Sequence, residues 1–529
     1  MILNSPKSKL DGYQRPVGMA RIKDPIWRDI GLLALILLAV GVSHLVVPGS
    51  VPSGADGGNW LAIAQERLGT DVMSSDVTYP IAFPAVVAGL LQWFSPISAI
   101  VIAGIFAKLA LVAAVYWCVR PIGALWGAIA AVITAFAGAQ LEAFAWGGYA
   151  QLLGTAAGVL ALLCLGRYMT SGQTRPLLSA LAWASLVYAT HALITGLLVL
   201  ALPLSAAYML FMRGFARPLI GRAMVGVAVL AAPGAAVALW SVVGGGGSEI
   251  QPVLNPLELD WIAAVQNTVR EAPWPWALLT ATALVAAFWR GSDDAEVVVN
   301  FTGFGWTMAG VGFFVVSGEP RSLLPTQIGI VMLAIVGVRR LLRSLKSRSH
   351  GTISSKLLIV VGVSLLSALV MGGVGAYVNA TGWYRVVDVA ELRGLDTLRA
   401  RARPGDLVLA SMGHHGNPIG WWVEGYAGVH TYSSVDPRFL AFPDERQHAM
   451  IAIDFFSGRL TVEESRELVE ASGADFLLVD RRGSDAGWLA GESAKGLQRL
   501  IDSATIVILE ATPRVRNAAT GTTADERGD

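Results

Sequence analysis

The sequence predicts a polytopic α-helical membrane protein of about eleven transmembrane helices, followed by a small α/β domain at the carboxyl end. Three observations carry this. Apolar runs of about 20 residues, the length that crosses ~30 Å of hydrocarbon, recur as far as residue 378 of the 529. Hydrophobic residues make up 54% of the chain and charged residues 15%, with a mean hydropathy of +0.57, unlike a soluble domain. Beyond Tyr377 the pattern changes to short apolar strands around one amphipathic helix.

Residues 1–24 are polar and basic, with Pro6 and Pro16, and read as a disordered cytoplasmic arm. The first apolar run starts too late and is too long for a cleaved signal peptide. Spans are predicted at 29–47, 97–119, 122–139, 149–168, 176–190, 192–212, 219–242, 274–289, 296–317, 322–338 and 357–378. Together they make a transmembrane region over 25–378. Residues 81–94, IAFPAVVAGLLQWF, are apolar but short and bounded by Pro80 and Pro96. They read as an interfacial or re-entrant helix.

Basic residues decide that point. With 81–94 not crossing, Arg120, Arg167, Arg213, Arg222, Arg339, Arg340 and Arg343 all join the amino-terminal arm on the cytoplasmic side. The other side of the membrane region keeps only Arg67, Arg270 and Arg321. A large first outer loop, 48–96, and a second, 140–148, then face the same way as the carboxyl-terminal domain, predicted over 379–513. There GDLVLASMG, ADFLLVDRR and ATIVILEATP read as strands. Between the first two, TVEESRELVEASG reads as a helix, with Thr461 as cap and Glu464 three residues on. The tail 514–529 reads as disordered.

Cys118 and Cys164 sit in apolar runs and imply no disulfide framework. A net charge of +1 without a basic stripe or base-reading motif argues against nucleic-acid binding. Gly244–Gly247 lacks the strand-to-helix context of a phosphate cradle.

Polar residues gather at the predicted outer boundary. The first loop holds Asp56, Glu66, Asp71, Asp76 and Tyr79. The second, AQLEAFAWGGYAQLLG, holds Glu142, Trp146, Tyr149 and Gln151. His191 lies between two apolar runs, and Glu319 and Arg321 stand at a helix boundary. Carboxylates, an aromatic platform and an isolated arginine suit a sugar carried on a lipid phosphate. A carboxylate accepts a proton or holds a metal, and arginine pairs with phosphate oxygens. The bland alternatives stand beside these. Asp56 can cap the helix that starts near Gly57, Glu142 can be a solvated acid, His191 a packing residue and Arg321 an interfacial anchor. Lys108 falls mid-span, where an unpaired charge is costly.

The order of parts resembles the GT-C superfamily of membrane glycosyltransferases, with GADGGNW as the first acidic element and LEAFAWGGYAQLLG as the second. Its layout is similar to the catalytic subunit of oligosaccharyltransferase and related polyprenyl-phosphate-sugar transferases. Those carry a WWDYG motif early in the carboxyl-terminal domain. This sequence has GWWVEGY there instead, and its second loop lacks a D-x-D pair. The resemblance implies a polyprenyl-phosphate-linked sugar donor, an acceptor that is a glycan, lipid or protein, and an extracytoplasmic site in the plasma membrane. The departures favour transfer of a single sugar over transfer of an oligosaccharide to asparagine. Asp56 and Glu142 are then the expected catalytic carboxylates, with Mg2+ or Mn2+ between them as an expected cofactor. Tyr79, Trp146, Tyr149, Gln151, His191, Glu319 and Arg321 are expected to bind substrate. Trp421, Trp422 and Glu424, with His414 and His415 nearby, are expected to form an acceptor surface. Two other functions remain open on the sequence: a transporter or flippase of lipid-linked glycans, and a non-catalytic envelope-assembly subunit on the same scaffold.

Overall fold

The computed structural model describes residues 26–46, 51–73 except Ser53 and Ala55, 79–243, 273–289, 293–348, 355–417, 419–433, 443–483 and 497–511. Asp76, the glycine run at 244–247 and both chain termini lie outside these residues.

In chain order, α1 (Ile26–Val46) is a long apolar helix. Two short helices follow, α2 (Asp56–Arg67) and α3 (Ala82–Leu91). The ten residues of α3 reach only about 15 Å at ~1.5 Å per residue, half the hydrocarbon thickness. Ala82 donates its N–H to the Ala189 carbonyl (2.6 Å), so α3 starts beside the end of a later helix and stays at one end of the bundle. Then come α4 (Pro96–Val119), α5 (Ala124–Ala135), α6 (Gly138–Trp146), α7 (Tyr149–Ser171), α8 (Thr174–Tyr188), α9 (Ala192–Arg213) and α10 (Arg217–Val243). The last four helices of the bundle are α11 (Pro273–Phe288), α12 (Asp294–Ser317), α13 (Leu323–Arg348) and α14 (Ser355–Trp383). Among the described residues, seven helices are long and apolar enough to cross a membrane, and α5 and α6 taken together make an eighth. The predicted spans at 176–190, 274–289 and 322–338 fall on α8, α11 and α13.

Two expectations need correction. The segment predicted as one span over 122–139 is two helices bent by 49° at Phe136–Ala137. The residues predicted as a second loop, 140–148, are mostly the helix α6. Alanine-rich GAQLEAFAW favours a helix, and Gly147, at φ 98°, ends it in the left-handed conformation that glycine adopts without strain. The last helix of the bundle runs on to Trp383, past the span predicted at 357–378.

Beyond Trp383, α15 (Val389–Arg401) opens on a capping box, with Asp388 bonded to the Ala390 and Glu391 amides and Glu391 returning to the Asp388 amide. Two further helices, α16 (Pro443–Phe456) and α17 (Val462–Ser472), accompany a sheet of β1 (Leu407–Ala410), β2 (His430–Thr431), β3 (Phe476–Asp480), β4 (Leu497–Asp502) and β5 (Ile506–Ala511). Strand order is β2-β1-β3-β5-β4, parallel among the first three and antiparallel at β3–β5 and β5–β4. Thr461 and Glu464 form the expected capping box of α17. The sheet is buried on both faces, in two different ways. Leu409, Leu477, Val479, Val507 and Leu509 pack with α16 and α17 into a core of their own. The alternate residues Val408, Leu478, Ile506 and Ile508 join the core that runs on into the helical bundle.

At the end of the bundle away from the sheet, arginines neutralise the few acids. Arg120 on α4 pairs with Asp29 on α1, and Arg213 with Asp294. Glu296, 3% exposed, receives Arg339, Arg340 (2.9 Å) and Arg343 (2.9 Å) from α13. This locks α12 to α13. Glu296→Gln strips charge from beneath two largely buried guanidiniums and is expected to cost about 3–5 kcal/mol. Thermal unfolding of the detergent-solubilised variant checks this; an unchanged midpoint would show that the cluster does not hold the two helices together.

Candidate active site

The site is built where α2, the α6–α7 turn, the end of α14 and the carboxyl-terminal domain meet. Asp56 is the first residue of α2, partly buried. Gly147 in the α6–α7 turn lies flat against it. A Cβ on Gly147 would stand 2.9 Å from the Asp56 Cβ and 3.1 Å from the Gly57 nitrogen. One helical turn on, Trp60 donates its Nε1–H to the Gly147 carbonyl (2.8 Å). The start of α2 is therefore pinned by backbone contact, and the position next to Asp56 admits no side chain.

Glu142 lies one turn before Trp146 on α6, on the same face. The Tyr384 hydroxyl donates to Glu142 Oε1 (3.0 Å), and the Tyr384 ring meets Trp146 edge to face at 6.1 Å. Gly54 ties these parts together. Its N–H donates to the Tyr384 carbonyl (2.7 Å), and its own carbonyl accepts from Trp422 Nε1 (3.1 Å). Asp56, Glu142 and Trp146 are thus tied to one frame. Tyr384, which sequence reasoning missed, joins them. It is separated from Glu142 by 242 positions and belongs to no local motif.

Among the described residues, no three His, Cys, Asp or Glu side chains gather in a metal-binding arrangement. Asp56 and Glu142 would supply only part of the roughly six oxygens that Mg2+ or Mn2+ takes. They do not on their own make a resident metal site.

A second group sits at the same end of the bundle. Glu319 holds Arg321 bidentately, from Nε (2.9 Å) and Nη2 (3.2 Å), and also accepts from the Arg321 backbone N–H (3.1 Å). Burial pushes the Glu319 carboxyl up, but the Arg321 charge and its hydrogen bonds, with His191 close by, outweigh this and hold it below the usual carboxylate range. The Arg321 carbonyl accepts from Gln151 Nε2 (3.0 Å), and His191, at the start of α9, faces Gly154 one turn further along α7. Gln151, His191, Glu319 and Arg321 are thus one cluster, on α7, α9 and the α12–α13 turn.

The aromatic residues are largely internal. Tyr79 meets Trp60 at 4.9 Å, Trp60 meets Phe83, Phe83 meets Tyr149, and Tyr149 meets Phe144. Tyr149 is buried, so its ring is core of the bundle and not part of an open sugar platform. Further in, His44 lies against Phe144 and Tyr377 and within the field of Lys108. The buried His44 Nε2, Lys108 Nζ and Tyr377 hydroxyl have no hydrogen-bond partner among the described residues.

Trp421, Trp422 and Glu424 do not form the expected acceptor surface. Trp422 and Glu424 are fully buried, and Trp421 is nearly so. Glu424 accepts from the Thr431 hydroxyl (2.7 Å). The Trp422 ring lies over Gly57, and a Cβ on Gly58 would stand 2.5 Å from the Trp422 nitrogen. Gln65 Nε2 completes the seam by donating to the Gly425 carbonyl (2.6 Å). The segment reads as a surface motif in sequence because its partner, α2, lies more than 350 positions away. His415 stacks flat on Trp383 at 3.9 Å, at the junction between bundle and domain. Gly58→Val is expected to separate α2 from the domain, and protease sensitivity between Trp383 and Val389 should rise at least several-fold. Wild-type cleavage rates would show that the seam tolerates a side chain.

No protein-family model matches the chain, and no curated protein matches its sequence. Solved structures do match its shape. The crystal structure of ArnT from Cupriavidus metallidurans bound to undecaprenyl phosphate superposes with a TM-score of 0.56 and 14% identity, over 92% of this chain and 99% of that one. The apo state of the same protein gives 0.54 and 15% over the same coverage. The apo oligosaccharyltransferase of Archaeoglobus fulgidus gives 0.52 and 13%, over 86% of this chain and 70% of that one. At such identities the likeness is one of fold, and it extends through bundle and carboxyl-terminal domain alike: the chain shares the fold of these solved structures.

Proposed function

We propose that the protein transfers a single sugar from a polyprenyl-phosphate donor to a hydroxyl of an extracytoplasmic glycan, lipid or protein, at the plasma membrane. One observation carries this reading: a carboxylate, Asp56, held by backbone contact at the meeting point of α2, the α6–α7 turn and the domain, at the same end of the bundle as the Glu319–Arg321 pair. The fold neighbour bound to undecaprenyl phosphate supports the donor class. The excess of arginine at the opposite end supports a cytoplasmic amino terminus and an extracytoplasmic domain.

In this reading the Asp56 carboxylate accepts the acceptor hydroxyl's proton as its oxygen attacks the anomeric carbon. The bond from that carbon to the phosphate oxygen breaks, the electron pair leaves with the polyprenyl phosphate, and the anomeric configuration inverts. Arg321, oriented by Glu319, stabilises the charge on the departing phosphate. Glu142, oriented by Tyr384, assists Asp56 and orients the acceptor. Trp146 and Tyr79 border the sugar. Gln151 and His191 position the Arg321 turn. Mg2+ or Mn2+, when bound, would be held by Asp56 and Glu142 and would supply Lewis-acid stabilisation of charge on the departing phosphate, and no step here depends on it.

Asp56→Asn is expected to lower kcat about 10²- to 10⁴-fold while leaving the thermal midpoint close to wild type. Wild-type turnover would falsify the assignment of the base. Arg321→Gln is expected to raise the apparent KM for the donor about 10- to 100-fold, equivalent to about 1.5–3 kcal/mol. Wild-type kcat and KM would place the phosphate elsewhere. Because Glu319 titrates below the ordinary carboxylate range, its pair with Arg321 stays intact at neutral pH. Its contribution is lost only as pH falls through that lowered value.

A second reading, transport of a lipid-linked glycan, draws on Lys108, His44 and Tyr377, whose buried polar atoms lie deep in the bundle. Flux of a labelled lipid-linked sugar across liposomes, without any transfer product, would favour it. A chain that neither binds donor nor moves it would instead be a non-catalytic assembly subunit.

A further inference from the structure

At the end of the bundle away from the sheet, α1, the turn before α5 and the last turns of α13 enclose a half-open cleft of about 850 Å³. Its walls are Leu32, Ile122, Leu125, Trp126 and Leu342, and its polar side is Asp29, Arg339 and Arg343. Leu125 is 66% exposed, so an apolar wall stands open at what the sequence reads as the cytoplasmic face of the membrane.

The charges are unbalanced in one direction. Asp29 is neutralised by Arg120. Glu296 and Asp293 together face three guanidiniums, those of Arg339, Arg340 and Arg343. The surplus positive charge falls on the most accessible of the three, Arg343, whose side chain is 56% exposed against 12% and 6% for the others. The start of α5, which no side chain caps, borders the same cleft.

We propose that this cleft binds one anionic phospholipid, with its phosphate on Arg343 and an acyl chain along Leu125 and Leu342. A soluble anion gains nothing from the apolar wall, and a zwitterionic lipid gains little from the surplus arginine. An anionic lipid uses both. This site is separate from the glycosyl-transfer site and does not depend on that reading.

The test uses the full chain, purified and relipidated. Thermal midpoints are compared in phosphatidylcholine, in phosphatidylglycerol and in detergent with glycerol 3-phosphate. Phosphatidylglycerol is expected to raise the midpoint above phosphatidylcholine and to be retained in native mass spectra. Arg343→Gln and, separately, Leu125→Asp are each expected to remove at least half of that difference and the retained lipid. Leu125 is exposed, so Leu125→Asp should match wild type in phosphatidylcholine, whereas Arg343→Gln removes one of the three guanidiniums on buried Glu296 and is judged by the difference between its own midpoints in the two lipids. Equal midpoints in the two lipids, a full response to glycerol 3-phosphate alone, or an undiminished lipid response in both variants would overturn the proposal.

Discussion

The approach of α2 to the Trp421–Gly425 turn is the contact on which the arrangement of the site depends. Three glycines make it: Gly57 under the Trp422 ring, Gly58 against the Trp422 backbone, and Gly425 with its Cα facing the Gly58 carbonyl. A Cβ on Gly425 would stand only 2.1 Å from that carbonyl oxygen. Backbone-to-backbone contact is short and stiff, because no rotamer can relax it. It fixes the first turn of α2 against the domain, and Gly147 fixes the same turn against α6. Asp56 therefore takes its position from main chain on both sides. Main-chain contact on both sides sets the orientation of its carboxylate.

The two ends of the bundle solve different problems. Away from the sheet, guanidinium–carboxylate pairs between helices satisfy charges that lie near hydrocarbon, and Glu296 alone gathers three of them. At the sheet end, the Glu319–Arg321 pair is local, made within one turn, and the rest of the surface is assembled from glycine, aromatic rings and backbone hydrogen bonds. Rigidity comes from packing at the functional end and from charge at the other.

Much of the fold was legible in the sequence. Apolar length placed most of the helices, the basic residues argued against α3 as a span, and short apolar runs with the Thr461–Glu464 pair indicated strands β1, β3 and β5 and helix α17. What failed was decided by distant contacts. Nothing local in IGALWGAIAAVITAFAGAQLEAF distinguishes a straight span from one bent at Phe136, because the break is set by how helices pack around it. The tryptophans of GWWVEG read as exposed until the glycines of α2 are brought against them. Asp56, Glu142 and Arg321 stand out in the sequence because acids and arginines next to apolar runs are rare enough to notice. Tyr384, His44 and Tyr377 were missed because a tyrosine or histidine in or beside an apolar helix carries no such contrast.

Trp422 and Gly54 are 368 positions apart, and this separation bears on how the protein is made. At about 5–20 residues per second, α2 leaves the ribosome tens of seconds before the turn that will hold it. The face of the sheet carrying Val408, Leu478 and Ile508 packs against α15 of its own domain, where Gly394 lies close to Ile506 and Ile508, and adjoins the core of the bundle. During synthesis the bundle can be inserted while this end is still open, and the later Trp421–Gly425 turn closes it. A chain cut between Arg321 and Trp422 would carry both Asp56 and Arg321 yet lack the Trp422–Gly54 contact that ties the bundle to the domain.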